Sequence, residues 1–169
     1  MTDVILVDEA GREIGTMEKL EAHQKGLLHR AISVFVFHPD GRVMLQKRAD
    51  DKYHSGGLWS NTCCSHPMPG ESTRDAAKRR LKEEMGIDCE LAELGTFTYR
   101  TEFESGLTEH EFDHVFTGTT SLEPTLNRDE AQDWKWQNVA ELREDIRRRS
   151  ELYASWLPMA LELVINIKS

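Results

Sequence analysis

The sequence predicts an α/β or α+β fold in which helices cover a mixed β-sheet. Strand-like and helix-like segments alternate along the chain, one apolar run is typical of a strand buried on both faces, and a central helix has matching end signals. The chain has 169 residues, of which 38% are hydrophobic, so it has enough apolar material for one core. We therefore expect residues 1–169 to form a single domain.

The predicted strands are apolar, β-branched or alternating runs bounded by turn residues. In chain order they cover residues 4–7, 13–16, 29–37, 43–47, 89–101, 107–119 and 134–136. The run 29–37 is almost continuously apolar and predicts a strand covered on both faces. Residues 17–23 predict a short helical turn or loop.

Helices are predicted at residues 72–85, 139–149 and 151–167. Ser72 is a candidate N-cap for the first of them, and Gly86 is placed to end it. Glu84 borders the apolar stripe of this helix, and a carboxylate in that position needs a partner. Pro158 is expected to interrupt or kink the last helix near its start.

Charge and composition exclude several classes of protein. The net charge of −9 disfavours nucleic-acid binding, and the basic run 147–149 is balanced by neighbouring acids, as on a solvated helix face. The start of the chain lacks the pattern of a signal peptide, and we find no stretch of about 18 apolar residues that predicts a membrane span. The three cysteines make a poor disulfide framework, so we expect a cytoplasmic protein.

Three histidines and two carboxylates are candidates for a divalent-metal site: His23, His29, His66, Glu109 and Glu111. Glu109 and Glu111 are two residues apart on a predicted strand, so their side chains share one face. This mixed nitrogen and oxygen set suits Mn²⁺, Mg²⁺ or Zn²⁺. Taken one by one, each histidine is more often a surface or core residue than a metal ligand.

Other candidate residues depend on what the fold brings together. Cys64 lies two residues before His66, where a metal-bound imidazole would lower the thiol pKa and make a thiolate available; the alternative is an inert buried cysteine. Four cationic residues either converge on one pocket or are surface charges: Lys19, Arg48, Lys52 and Arg80. The aromatic residues Tyr99 and Trp156 are either core residues or stabilise a substrate cation.

Residues 65–87 resemble the Nudix box, G-x5-E-x7-R-E-U-x-E-E-x-G-U, where U is bulky and apolar. The matching positions are Glu71, Arg79, Leu81, Glu83, Glu84, Gly86 and Ile87. Ser65 replaces the opening Gly, and Arg80 replaces a metal-binding Glu. A guanidinium at that position favours gripping a diphosphate over hydrolysing it.

A wider pattern resembles one branch of the Nudix superfamily, the type I isopentenyl-diphosphate isomerases, over residues 3–160. The most specific pieces are Glu18-Lys19-x-x-Ala22-His23, Leu28-His29, Trp59-x-Asn61-x-x-Cys64-x-His66-Pro67, Gly70-Glu71, Tyr99-Arg100, Glu109-x-Glu111 and Trp156. The resemblance implies a Nudix-like mixed sheet sandwiched between helices. Ser65 stands where relatives often have Gly, and Cys63 adds a second thiol.

By this resemblance each candidate acquires a role. The divalent ion held by the protein would be bound by His23, His29, His66, Glu109 and Glu111, and Glu84 would contact a Mg²⁺ ion that arrives with the substrate. The diphosphate would be bound by Lys19, Arg48, Lys52 and Arg80. The proton donor would be Glu111 assisted by Tyr99, the base would be Cys64, and Trp156 would face the cationic intermediate.

The implied reaction is the reversible, metal-dependent conversion of isopentenyl diphosphate to dimethylallyl diphosphate in isoprenoid biosynthesis. We expect a small prenyl diphosphate as substrate, no nucleic-acid or membrane partner, and a monomer or weak dimer. Two alternatives stay open: a Nudix hydrolase of a diphosphate derivative, which Arg80 disfavours, and a non-catalytic binding module, which the combination of Cys64, Glu111 and Trp156 disfavours.

Overall fold

The computed structural model describes residues 2–52 and 55–168, which form nine strands and four α-helices. The strands are β1 (Asp3–Val7), β2 (Glu13–Glu18), β3 (His29–Phe37), β4 (Val43–Arg48), β5 (Trp59–Ser60), β6 (Cys63–Ser65), β7 (Ala92–Glu102), β8 (Thr108–Thr119) and β9 (Ala131–Gln137). The helices are α1 (Lys19–Lys25), α2 (Thr73–Met85), α3 (Val139–Arg148) and α4 (Leu157–Lys168), with a 3-10 turn at Ser150–Leu152. The strands belong to one mixed sheet, as predicted.

A parallel pair of strands, β3 and β8, lies at the centre of this sheet. β3 also pairs antiparallel with β1, β4 and β6, while β8 pairs antiparallel with β7. The parallel register sets His29 beside Glu111, and β7 sets Tyr99 beside the same Glu111. On the other edge of β3, Ser33 pairs with Cys64. Strand register therefore collects the candidate residues at one end of the sheet.

The helices cover both faces of the sheet. Because side chains alternate along a strand, Val34 of β3 packs in one core cluster with Leu81 of α2, and Phe35 packs in a second cluster with Leu142 of α3 and Leu161 of α4. Both clusters contain fully buried residues. The predicted α+β sandwich is confirmed, and residues 29–37 form the doubly covered strand that the sequence predicts.

Helix α2 has the ends that the sequence predicts. The Ser72 hydroxyl accepts a hydrogen bond from the backbone N–H of Asp75 at 3.1 Å, and Gly86 ends the helix with φ at 64°. Arg79 donates two hydrogen bonds to Glu71, which anchors the loop before the helix. None of the helices within residues 2–52 and 55–168 has the length and apolar character needed to cross a bilayer.

The predicted helix over residues 151–167 is wrong in its first part. The chain makes a 3-10 turn, Tyr153 is extended and bridges to Trp59, and α4 begins at Leu157. Pro158 lies in the first turn of α4, where its missing N–H would be unpaired in any case, so it starts the helix instead of kinking it. Trp156 consequently lies just before the helix.

Candidate active site

One cavity collects most of the candidate residues. Its walls are formed by Lys19, Arg48, Lys52, Cys64, Ser65, His66, Arg80, Glu109, Glu111, Asp113 and Trp156. All of these except Ser65 and Asp113 are candidates from the sequence. Cys64 and Glu111, the predicted base and acid, open into this same cavity.

Four of the five predicted metal ligands form a compact group. One ligand atom from each of His23, His29, His66 and Glu111 lies within 4.8 Å of the other three. Glu109 is buried on the same face of β8 and lines the cavity, but it lies outside this group. The spacing of the four side chains is compact enough for them to share a metal ion.

Backbone carbonyls orient two of these imidazoles. The Nδ1 atom of His23 lies 2.7 Å from the Lys19 carbonyl oxygen, and Nδ1 of His29 lies 2.9 Å from that of Leu27. A carbonyl only accepts, so each Nδ1 carries the proton and each Nε2 presents a lone pair. Nε2 of His29 is buried without a hydrogen bond, 3.6 Å from Glu111 Oε2. This donor set fits a divalent cation.

The charges in the group are strongly perturbed. Burial alone would raise the pKa of Glu111, but its contacts with His29 and His66 hold that pKa well below its usual range. Burial lowers the pKa of His66 to about 3, against the opposing effect of Glu111, so its imidazole is neutral. Neutral imidazole is the form that binds metals. Glu111 therefore contributes a carboxylate to this group of side chains.

The four predicted diphosphate-binding cations converge on the cavity. Burial is the main reason that the pKa of Lys19 is lowered, and neighbouring Lys52 and Arg80 add to it. Glu130 accepts a hydrogen bond from Lys52 and forms an ion pair with Arg80 at 3.2 Å. With Arg48 the cavity therefore has four positive groups, two of them bonded to a protein carboxylate.

Glu84 has the partners that its buried position requires. Its side chain is 4% exposed, and it accepts hydrogen bonds from Gln46 at 3.0 Å and from Arg80 at 2.7 Å. Glu84 does not line the cavity; it lies behind Arg80. An ion bound at Glu84 Oε2 would replace the contact of that oxygen with Arg80.

Cys64 is held between two polar side chains. Its thiol donates to Asn61 Oδ1 at 3.0 Å, and its sulfur lies 3.7 Å from the Ser33 hydroxyl. Burial raises the pKa of this thiol, and the Asp113 carboxylate raises it further. Burial and Asp113 outweigh the nearby positive charge of Arg48, and the lowering expected from a metal-bound imidazole stays a prediction.

Trp156 and Tyr99 form an aromatic wall beside Cys64. Trp156 is buried, its ring lies edge-on to Tyr99 with centroids 6.5 Å apart, and the Arg48 guanidinium lies 5.1 Å from its ring centroid. The Tyr99 hydroxyl bonds to Ser155. Burial raises the pKa of Tyr99 to about 12, so the phenol stays neutral. The backbone register sets Tyr99 opposite its predicted partner Glu111.

Three residues of the site were not predicted from the sequence. Asp113 continues the two-residue spacing of Glu109 and Glu111, so its position on the cavity face was available from the pattern. Ser33 was recognisable as a polar residue inside an apolar strand, and it donates to Asp113 at 2.8 Å. Glu130 had no local signal, since only the fold brings it to Lys52 and Arg80.

The fold and the site define a Nudix-fold protein with a cationic, acid-lined and thiol-containing cavity. A family model described as NUDIX domain matches residues 27–157, and the chain belongs to that family. The crystal structure of DR0079 from Deinococcus radiodurans superposes with a TM-score of 0.79 at 17% identity, covering 99% of both chains. A MutT protein from Methanosarcina mazei superposes with a TM-score of 0.69 at 16% identity, covering 84% of this chain and 96% of that one.

Sequence relatives place the chain in one branch of this family. An isopentenyl-diphosphate Delta-isomerase 2 from Aromatoleum aromaticum is 60% identical, covering 98% of this chain and 88% of the relative. An isopentenyl-diphosphate Delta-isomerase from Pectobacterium atrosepticum is 49% identical, covering 94% and 89%. The chain belongs to the isopentenyl-diphosphate Delta-isomerase family, as the sequence motifs predict.

Proposed function

We propose that this protein isomerises isopentenyl diphosphate to dimethylallyl diphosphate. The observation that carries the proposal is a single cavity that contains a thiol, Cys64, and a carboxylate, Glu111, together with Trp156 and four cations. The family to which the chain belongs supports the same reaction. A hydrolase would need a carboxylate where Arg80 lies.

The charged end of the substrate binds the cations. Lys19, Arg48, Lys52 and Arg80 provide charge-assisted hydrogen bonds to the diphosphate, which takes the place of Glu130 on Lys52 and Arg80. The five-carbon tail then lies between Cys64 and Glu111, beside the Trp156 ring. Binding through the diphosphate keeps the apolar tail in a buried position from which water is excluded.

The reaction adds a proton to one carbon of the substrate and removes a proton from another. The Glu111 carboxyl gives its proton to the terminal alkene carbon, whose π electrons form the new C–H bond and leave a tertiary cation. The Cys64 thiolate removes a proton from the neighbouring CH₂ carbon, and that C–H electron pair becomes the new double bond. The Trp156 ring stabilises the cation without alkylation. Without a bound metal ion, the lowered pKa of Glu111 and the raised pKa of Cys64 both oppose these roles.

We further propose a divalent ion, Mn²⁺, Mg²⁺ or Zn²⁺, at His23, His29, His66 and Glu111, with Glu109 completing the set. When bound, this ion supplies a fixed positive charge that orients Glu111. Glu84 is proposed to contact a Mg²⁺ ion that enters with the diphosphate. Tyr99 assists Glu111 from the neighbouring strand, which sets it opposite that residue.

Three broader proposals accompany this function. Residues 1–169 form one domain, since β1 pairs with β3 in the main sheet and α4 packs in the same core cluster as Phe35. The protein is a monomer or weak dimer. It acts in the cytoplasm, where a reducing environment keeps Cys64 a thiol.

The direct test is incubation with isopentenyl diphosphate and Mg²⁺ in D₂O, followed by NMR. We expect deuterium incorporation and dimethylallyl diphosphate without free phosphate. Phosphate release would favour the hydrolase, and unchanged substrate would favour a binding module.

Two substitutions test the roles of the acid and the base. Cys64→Ala and Glu111→Gln should each nearly abolish turnover while the protein remains folded. Cys89→Ala and Glu93→Gln are matched controls outside the cavity and should keep parental rates. A near-parental rate in either site variant would mean that its assigned role is wrong.

A further inference from the structure

Asn61 is the centre of a hydrogen-bond arrangement that joins the two sides of the cavity. Its side chain is fully buried. Its Nδ2 donates to the Val34 carbonyl at 3.0 Å and to the Cys63 carbonyl at 2.9 Å. Its Oδ1 accepts from the Cys64 thiol at 3.0 Å and from the Trp156 indole N–H at 3.1 Å. Every donor and acceptor of the carboxamide is therefore used.

Chemistry fixes the orientation of this amide. The two carbonyl oxygens can only accept, so the NH₂ group must face them. The indole N–H can only donate, so the amide oxygen must face it. A flipped amide would oppose two acceptors at one end and two donors at the other. Asn61 Oδ1 is consequently held as a shared acceptor for sulfur and indole.

We infer that Asn61 is a positioning residue that fixes the Cys64 sulfur relative to the Trp156 ring. This inference rests on the proposed function, in which the sulfur moves a proton and the ring faces the cation. Cys64 belongs to the short strand β6, whereas Trp156 lies 95 residues from Asn61, just before α4. One buried oxygen atom thus ties two separate segments of the chain into one reactive unit.

The shared acceptor matters because a thiol by itself is weakly directed. A thiol is a weak hydrogen-bond donor on a side chain that rotates about one bond, so its position depends on what surrounds it. A misplacement of about 1 Å at a reacting atom costs about 100-fold in rate. Losing the shared oxygen should therefore lower the rate of the chemical step and leave the affinity for the diphosphate nearly unchanged.

Asn61→Ala tests the rate effect. We expect kcat to fall about 100-fold while KM changes by less than about threefold, because Asn61 is not among the cavity cations. The matched control is Thr62→Val. Thr62 is equally buried, donates to the Met44 carbonyl at 2.6 Å and accepts from the Val36 N–H at 2.9 Å, away from sulfur and indole. This control should lose stability but keep kcat within about threefold.

The tie has two further readouts that do not depend on turnover. In a ¹⁵N-tryptophan spectrum, with the signal assigned from Trp156→Phe, Asn61→Ala should move the Trp156 indole N–H resonance upfield, and Thr62→Val should not. Cys64→Ala should move the same resonance because the thiol shares its acceptor. In a Cys89→Ser background, Trp156→Phe should change the rate at which iodoacetamide alkylates Cys64.

Each result has a defined meaning. An unmoved indole resonance in folded Asn61→Ala, or a kcat within about twofold of the parent, overturns the inference. If Asn61→Ala does not fold, the Cys64→Ala resonance and the Trp156→Phe alkylation rate decide, and no change in both overturns it. A parent protein that forms no dimethylallyl diphosphate refutes the proposed function instead, whatever the NMR result.

Discussion

Replacing Arg80 by Gln should lower the free energy of unfolding by about 2–3 kcal/mol, because it strands a buried carboxylate. The Glu84 side chain is only 4% exposed, and its bond to Arg80 is 2.7 Å long. Removing one partner of a buried ion pair typically costs about 3–5 kcal/mol. The cost expected for Arg80→Gln lies at or below the low end of that range because Arg80 is 19% exposed and Glu84 keeps its hydrogen bond from Gln46.

The partner substitution separates this pair from its surroundings. Glu84→Gln should cost about 1–2 kcal/mol, less than Arg80→Gln, because Arg80 keeps its contacts with Glu83 and Glu130. The double variant should cost less than the two single costs combined, by about 1–3 kcal/mol of coupling. Urea unfolding followed by tryptophan fluorescence measures each value.

A surface ion pair made by a lysine of the same helix provides the control. Lys78 lies 3.7 Å from Asp88 and is 38% exposed, so Lys78→Gln should change the free energy of unfolding by less than about 0.5 kcal/mol. Additive effects of Arg80→Gln and Glu84→Gln would refute the reasoning. So would an Arg80→Gln variant as stable as the Lys78→Gln control.

Three other predictions concern the core, a helix end and the metal site. Leu81→Ala should lower the free energy of unfolding by about 2–5 kcal/mol in urea, since Leu81 is 1% exposed between α2 and the sheet. Gly86→Ala should lower Tm more than Gly41→Ala: both have positive φ, but only at Gly86 would a Cβ meet the Thr125 carbonyl oxygen, at 2.8 Å. Dialysis against a chelator should lower Tm and activity, and an added divalent ion should restore both. Ion binding should raise the free energy of unfolding by about 2.7 kcal/mol at an ion concentration of 100 times Kd, and His23→Ala should abolish the ion-dependent gain in Tm.

The fold was predictable wherever local signals determine structure. Strand β3 has the predicted bounds because its apolar run is continuous, and α2 has the predicted ends because Ser72 and Gly86 act within one turn of chain. The error over 151–167 came from reading Pro158 as a break within a helix. A proline is also favoured in the first helical turn, and the fold uses it there.

The identities of most site residues were predictable from the sequence, but their positions relative to one another were less so. The family motifs identified most of the cavity residues, but the position of Glu130 beside Arg80 depends on long-range packing. The upward effect of burial on the pKa of the Cys64 thiol was not predicted, because burial cannot be read from the neighbouring residues in sequence. Register between β3 and β8 is equally non-local.

The register of strand β3 with its neighbours sets the spacing of the reactive side chains. It sets His29 beside Glu111 on one edge and Ser33 beside Cys64 on the other, four residues along the same backbone. A one-residue slip in either pairing would turn every side chain of the slipped strand to the opposite face. Deleting a single residue between His29 and Ser33 would therefore separate the carboxylate from the sulfur even if every side chain named in the cavity were still present.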